Sequence, residues 1–163
     1  MAKQLIIPLA ICTLILSMLC AATRAETDVT LSENIHILPD GTVTPSTAPI
    51  HRNGDTYQLT NSLVYESIII EKNNISLDGR GYTMQGNGIG KGVAAINLTC
   101  TGVTVRNFQI NDYEVGILGA CDGNRIVGND FTRVHYDIAV YADNYEITQN
   151  YLNYVRIVGS NVH

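Results

Sequence analysis

Acidic and basic side chains cluster in one part of this sequence, and together they could bind or act on an acidic sugar. The set comprises Asp112, Glu114, Arg133, His135, Asp137, Tyr154 and Arg156. Arginine can neutralise a sugar carboxylate, and histidine or arginine can abstract a proton, as elimination or hydrolysis requires. We therefore predict a polysaccharide-binding surface at the whole set, in which His135, Arg133 and Asp137 are the candidate catalytic residues.

A regular spacing in the sequence would bring these side chains together. The numbers of Asp112 and Arg133 differ by 21, as do those of Glu114 and His135. If each repeat lies on the preceding one, both pairs become neighbours, and Arg156 comes next in the column of His135. The alternative is that charges of opposite sign pair on an exposed sheet only to keep its surface soluble, with a small contribution from each pair.

The same step relates apolar residues throughout the C-terminal half, which makes this chain a repeat protein. The apolar columns include Ile96-Ile117-Ile138, Val105-Ile126-Ile147 and Ile110-Phe131-Leu152, and Gly102-Gly123-Asn144 forms a turn column. One repeat earlier the step is 28, which relates Ile96 to Ile68. The longer step predicts an extra loop of about seven residues, and we place it in the glycine-rich stretch Gly86–Gly92.

Apolar residues alternate with a period of two within each repeat, which predicts short strands rather than helices. Strands that return about every 21–28 residues without a helical crossover predict an all-β solenoid, a right-handed parallel β-helix. The alternation puts Tyr113 and Tyr136 in the core. It puts Asp112, Glu114, Arg133, His135 and Asp137 on the outer face.

The chain is 163 residues long and its first part reads as a targeting segment. Residues 1–25 are predicted to be a signal peptide, since a lysine, an apolar run and a small-residue cleavage site follow one another. Residues 26–60 are expected to form capping strands and a loop, and residues 61–163 the β-helix repeats. Because the chain stops at His163 in mid-coil, we expect further C-terminal coils in the parent protein. No stable membrane span is expected after cleavage.

The overall composition argues against nucleic acid as a partner. The formal net charge is −5 and there is no run of lysine or arginine. The histidines at 36, 51, 135 and 163 show no metal-ligand spacing, so neither a metal nor another cofactor is predicted.

Two segments carry a resemblance to a known family. Residues 67–86 (SIIIEKNNISLDGRGYTMQG) and 102–110 (GVTVRNFQI) resemble secreted β-helix proteins grouped with NosD and with the carbohydrate-binding and sugar-hydrolase repeat domains. The resemblance implies a pectate-lyase-like fold over residues 34–163 and a place outside the cell. It also implies copper-site maturation in the NosD branch. The matching residues are turn and core residues, so the resemblance bears on fold more than on activity.

Cys100 and Cys121 are related by the same step of 21, and adjacent parallel strands would put their Cα atoms about 5 Å apart. That distance allows a disulfide, which a secreted protein would favour. Side chains on parallel strands point the same way, so two stacked free thiols are the alternative.

The sequence thus predicts a secreted or cell-surface β-helix module that binds polysaccharide or a surface glycan, or that serves as a structural surface protein. Two alternatives stay open. One is a polysaccharide lyase or glycoside hydrolase, and the other is a NosD-like accessory protein for copper-site maturation.

Overall fold

The computed structural model describes residues 34–163, so the predicted signal peptide lies outside the described residues. The described part is all-β, with 17 short strands and no helix. Accordingly, no helix within residues 34–163 has the length and apolar character needed to cross a membrane.

The strands form three sheets, named A, B and C here. Sheet A contains, in spatial order, β2 (Val43–Thr44), β1 (Ile35–Ile37), β6 (Ile68–Ile70), β9 (Ala94–Leu98), β12 (Val115–Gly119), β15 (Tyr136–Val140) and β17 (Val155–Ile157). Sheet B contains β3 (Ile50–Asn53), β4 (Thr56–Leu59), β7 (Ser76–Asp78), β10 (Thr104–Arg106), β13 (Arg125–Val127) and β16 (Glu146–Thr148). Sheet C contains β5 (Leu63–Val64), β8 (Thr83–Gln85), β11 (Gln109–Asn111) and β14 (Asp130–Thr132).

From β4 to β16 the chain visits sheets B, C and A in turn, and from β6 onward each strand pairs in parallel with the strand one round earlier. Between β16 and β17 an isolated bridge from Asp130 to Tyr151 takes the place of a strand in sheet C. This arrangement of mostly parallel strands is compatible with a β-helix. The exceptions are the antiparallel pairs β1 with β2 and β3 with β4. They put β2 and β3 at one edge of sheets A and B, in the segment for which we predicted capping strands.

The strand register confirms the predicted columns. Ile117 pairs with Ile96 on one side and with Ile138 on the other, each at the predicted step of 21, and Ile96 pairs with Ile68 at the longer step of 28. All four side chains are fully buried. Burying an isoleucine contributes about 1.5–3 kcal/mol, so a one-residue slip that exposed this column would be costly.

The extra loop is divided between two places, and this corrects the sequence prediction. Leu77 pairs with Val105 at a step of 28, but Met84 pairs with Ile110 at a step of only 26. Two extra residues therefore lie in the turn between β7 and β8. The other five lie between β8 and β9, in residues 86–92, which we call the glycine loop.

Residues with a left-handed backbone conformation form the turns between the sheets. The turn before sheet B holds Asn74, Gly102, Gly123 and Asn144, each one repeat apart, with φ between +56° and +72°. Glycine and asparagine adopt this backbone at low cost, which confirms the predicted turn column. A Cβ added at Gly102 would lie too close to the Asn74 Oδ1, so a larger residue there would also force the Asn74 side chain to move.

Buried asparagines satisfy backbone groups inside these turns. Asn124 is 2% exposed, and its Oδ1 accepts a hydrogen bond of 2.8 Å from the backbone N–H of Val103. Its Nδ2 lies 3.0 Å from the carbonyl oxygen of Cys100 and 2.8 Å from that of Cys121. The side chain therefore ties the turns of two successive repeats together.

Replacing Asn124 with alanine should lower the free energy of unfolding by about 2–3 kcal/mol, because the Val103 N–H is then buried without a partner. Urea denaturation would measure the loss. Asn53→Ala is the control, since Asn53 is exposed at the end of β3, and it should change stability by less than about 0.5 kcal/mol. Equal effects of the two substitutions would contradict the structural role given to Asn124.

Candidate functional site

Asp112 and Arg133 lie in the turn from sheet C to sheet A, not on a strand as the alternation predicted. Sheet A resumes only at Val115, and both residues have left-handed φ angles, +58° and +51°. The apolar alternation runs through the turn without a break, because Tyr113 is still buried there. We call Asp112, Glu114, Arg133 and His135 the charged corner.

The predicted pairing of Asp112 with Arg133 is observed. The Nε of Arg133 donates to Oδ1 at 2.7 Å, and an Nη donates to Oδ2 at 2.6 Å, so the contact is bidentate. Hydrogen bonds from Arg133 and from Gln85 hold the pKa of Asp112 at about 2, below its usual 3.8. The hydrogen bond to Asp112 and the charge of its carboxylate raise the pKa of Arg133. Because the Arg133 side chain is 64% exposed, water screens this pair strongly.

Glu114 and His135 form the second predicted pair. Nδ1 of His135 lies 2.6 Å from Oε1 of Glu114, and the backbone N–H of Gly90 donates to the other oxygen at 2.5 Å. These two hydrogen bonds, with that from His135 the larger cause, lower the pKa of Glu114. Each basic group of the corner thus has a carboxylate partner already.

Asp137 does not share a face with His135, and this corrects the prediction. Its side chain is fully buried, while that of His135 is half exposed. One carboxylate oxygen accepts hydrogen bonds from the backbone N–H groups of Asn153 and Tyr154, and the other has no partner. The segment before β17 folds across Asp137, so the carboxylate ties down that segment and is closed to a polymer.

Arg156 and Tyr154 also lie elsewhere than predicted, because the last repeat is shorter. Arg156 pairs with Ala139 at a step of 17, rather than following His135 at a step of 21. Tyr154 lies beside Asp137 instead of Arg133, since the Asp137 N–H donates to the Tyr154 carbonyl at 2.9 Å. No pattern in the sequence marks this change of step.

The shorter step brings Arg156 into a group of aromatic rings. Its Cζ lies 5.9 Å from the centre of the Tyr136 ring and 5.5 Å from that of Tyr141. The ring of Tyr154 is 5.2 Å from that of Tyr136. Tyr136 is half buried at the surface, so its predicted place in the core is wrong. We call Tyr136, Tyr141, Tyr154 and Arg156 the aromatic cluster, of which Tyr141 was not predicted from the sequence.

Arg156 is exposed and forms no ion pair within residues 34–163. Its guanidinium therefore differs from that of Arg133, whose hydrogen bonds are used by Asp112. Stacking on tyrosine rings restricts the side chain while leaving its outward N–H groups available for a carboxylate.

A groove of about 330 Å³ lies on the outer face of sheet A. Its lining includes Ile69, Asn97 and Leu118, which are register partners on successive strands, and Gly92 and Val93 from the end of the glycine loop. The next residues in this outer column are Ala139 and Arg156. The groove and the aromatic cluster consequently lie on one continuous face.

Cys100 and Cys121 are free thiols in the structure, although the sequence left a disulfide open. The Sγ of Cys100 lies 3.2 Å from the carbonyl oxygen of Ile70 and 3.1 Å from that of Lys72. Burial, with smaller effects of Cys121 and Glu71, raises the pKa of Cys100 to about 11.

No group of three or more His, Cys, Asp or Glu side chains within residues 34–163 is arranged to hold a metal ion. Comparison with protein-family models, with curated proteins and with solved structures gives no significant match. The family resemblance therefore rests on the sequence segments alone.

Stability should depend on the charge of Asp112 at low pH. A carboxyl whose pKa is lower in the folded state stabilises the fold above its unfolded pKa, and this contribution is lost as the pH falls through the folded value. The urea midpoint of Asp112→Asn should therefore lie below that of the unmodified protein near neutral pH. The difference should shrink as the pH falls from 3.8 to about 2. Asp130→Asn, on an exposed residue of β14, is the control; a pH-independent difference for Asp112→Asn would contradict the assignment.

The two thiols should differ in reactivity, because the thiolate is the nucleophile and Cys100 is both buried and high in pKa. Under native conditions iodoacetamide should label Cys121 at least about tenfold faster than Cys100, as located by peptide mass spectrometry. Labelling of both residues only after treatment with a phosphine reductant would instead show a disulfide.

Proposed function

We propose that this chain is a secreted or cell-surface right-handed parallel β-helix, of the NosD-like and pectate-lyase-like kind, that binds polysaccharide along the outer face of sheet A. The cyclic order of the sheets and the regular register between successive repeats support the fold assignment. The signal-like segment at residues 1–25 supports export.

The free guanidinium of Arg156 is the observation that carries the binding proposal. It lies between the rings of Tyr136 and Tyr141, and Tyr154 adds a further exposed ring. Tyrosine faces can pack on sugar rings, and an arginine can bind a sugar carboxylate through two parallel hydrogen bonds. This combination suits a polysaccharide that contains uronic acid units.

The groove extends this surface along the stacking direction. Asn97 and Arg156 are separated by three strand spacings in the same outer column, which is about 14 Å. Several consecutive sugar units would cover that distance. The apolar side chains of Ile69 and Leu118 offer a floor for the less polar face of a sugar, and the Asn97 amide can exchange hydrogen bonds with its hydroxyl groups.

The charged corner supports binding or scaffolding over catalysis. Arg133 is engaged by both oxygens of Asp112, whereas His135 contacts Glu114 through Nδ1 alone, so its Nε2 is the one group among the three candidates that could reach a substrate proton. The third catalytic candidate, Asp137, is buried. The lyase or hydrolase alternative would therefore rest on His135 as the base, with Arg133 released from Asp112 to bind the sugar carboxylate, and the copper-maturation alternative rests on the family resemblance alone.

Arg156→Ala should weaken retention on an acidic polysaccharide at least about tenfold, because it removes a charge-assisted contact. Affinity electrophoresis in gels containing acidic or neutral polysaccharides would measure this, and added salt should weaken the acidic interaction. The absorbance of unsaturated products, followed in parallel, would detect a lyase.

Arg125→Ala is the matched control, because it removes the same charge from an exposed residue of sheet B. It should change retention less than about twofold. If Arg133→Ala or His135→Ala abolished retention while Arg156→Ala did not, the site would be the charged corner. Absence of retention by every polysaccharide would overturn the binding proposal.

A further inference from the structure

The glycine loop packs closely on the protein at its first residue, Gly86, where an added Cβ would collide with the Asp112 carbonyl oxygen, but not at the three glycines that follow. Gly88, Gly90 and Gly92 all have positive φ angles, and a Cβ added at any of them would meet no atom within 4 Å. The loop therefore does not pack closely on the sheets at these points. Hydrogen bonds must fix its position instead.

Asp112 and Glu114 supply those hydrogen bonds. The backbone carbonyl of Asp112 accepts the N–H of Gly88 at 2.9 Å, and its Oδ2 accepts the amide of Gln85 at 2.7 Å, just before the loop. Oε2 of Glu114 accepts the N–H of Gly90 at 2.5 Å. The first part and the middle of the loop are thus tied to Asp112 and Glu114, and just after the loop the Val115 N–H of β12 donates to the Val93 carbonyl at 3.2 Å.

The basic residues of the next repeat hold the two carboxylates from the other side. Arg133 binds both oxygens of Asp112, and His135 binds the oxygen of Glu114 that Gly90 does not use. The Glu114 carboxylate is therefore fixed between the loop and His135. The Asp112 carboxylate is fixed between the Gln85 side chain and Arg133, while the backbone carbonyl of the same residue holds Gly88. The last residue of the loop, Gly92, lines one side of the groove together with the next residue, Val93.

We propose that Asp112 and Glu114, oriented by Arg133 and His135, are positioning residues that hold the glycine loop as one wall of the groove on sheet A. The effect of this wall on binding rests on the proposed function, that the groove holds a glycan. The hold of the corner on the loop does not depend on it. The corner acts through the loop and touches no substrate.

Digestion with endoproteinase Lys-C tests the hold on the loop directly. Residues 34–163 contain two lysines, exposed Lys91 in the loop and Lys72, which is half buried and 3.6 Å from Asp55. Glu114→Ala should raise the native cleavage rate after Lys91 at least about fivefold and leave that after Lys72 unchanged, because cleavage follows the population of the open loop.

Glu146→Ala is the matched control. Glu146 pairs with Arg125 at 3.0 Å across the same step of one repeat, but on sheet B. Its loss should not change cleavage after Lys91. An unchanged rate in Glu114→Ala, or an equal increase in Glu146→Ala, would overturn the inference.

Amide hydrogen exchange gives a second test on the unmodified protein, so that a poorly folding variant cannot obscure the result. The Gly88 and Gly90 amides should exchange at least about tenfold more slowly than those of Ile89 and Lys91 in the same loop. Equal exchange at the four amides would overturn the inference.

Retention on polysaccharide separates this role from the proposed function. If the unmodified protein binds and the inference holds, Glu114→Ala should weaken retention severalfold relative to Glu146→Ala; unchanged retention would contradict the role in shaping the groove. If the unmodified protein binds no polysaccharide, the proposed function fails, whereas the digestion and exchange results still decide whether the corner holds the loop.

Discussion

The parallel backbone ladder is the constraint on which the rest of this structure depends. Each strand finds its backbone partners one repeat away, because buried N–H and C=O groups must be paired. Adjacent strands are then about 4.8 Å apart, and residues with the same position in successive repeats are brought into contact. Apolar columns, asparagine contacts between turns and paired charges at the corner all follow from this one alignment.

The left-handed turns let the ladder pass from sheet to sheet. Asn74, Gly102, Gly123 and Asn144 bend the chain before sheet B, and Asp112 and Arg133 bend it before sheet A. These two sets differ in chemistry. Glycine and asparagine adopt the conformation cheaply, whereas arginine does so at a cost that the contacts of the charged corner help to offset.

The sequence was sufficient to predict the strands and the apolar columns, because burial demands the same residue types at each repeat. Ile96, Ile117 and Ile138 show this most clearly. The sequence was not sufficient where the strand alternation gives way to a turn or where the step between repeats changes. The alternation through Tyr113 concealed the turn at Asp112, and the shorter step before Arg156 follows from how the last segment folds across Asp137. The pairing of Asp112 with Arg133 was predicted correctly because it follows from the strand register alone. Tyr141 was missed because it becomes part of the candidate site only through its contact with Arg156, whose position depends on the shorter last step.

The division of the extra residues between two turns has an evolutionary consequence. The insertions interrupt no ladder, since the strands on either side keep their partners. Chain length can therefore change at these bends while the interior stays the same. A lineage of such proteins could diversify its outer surface by lengthening or shortening one bend at a time, with the stacked strands acting as an unchanging support.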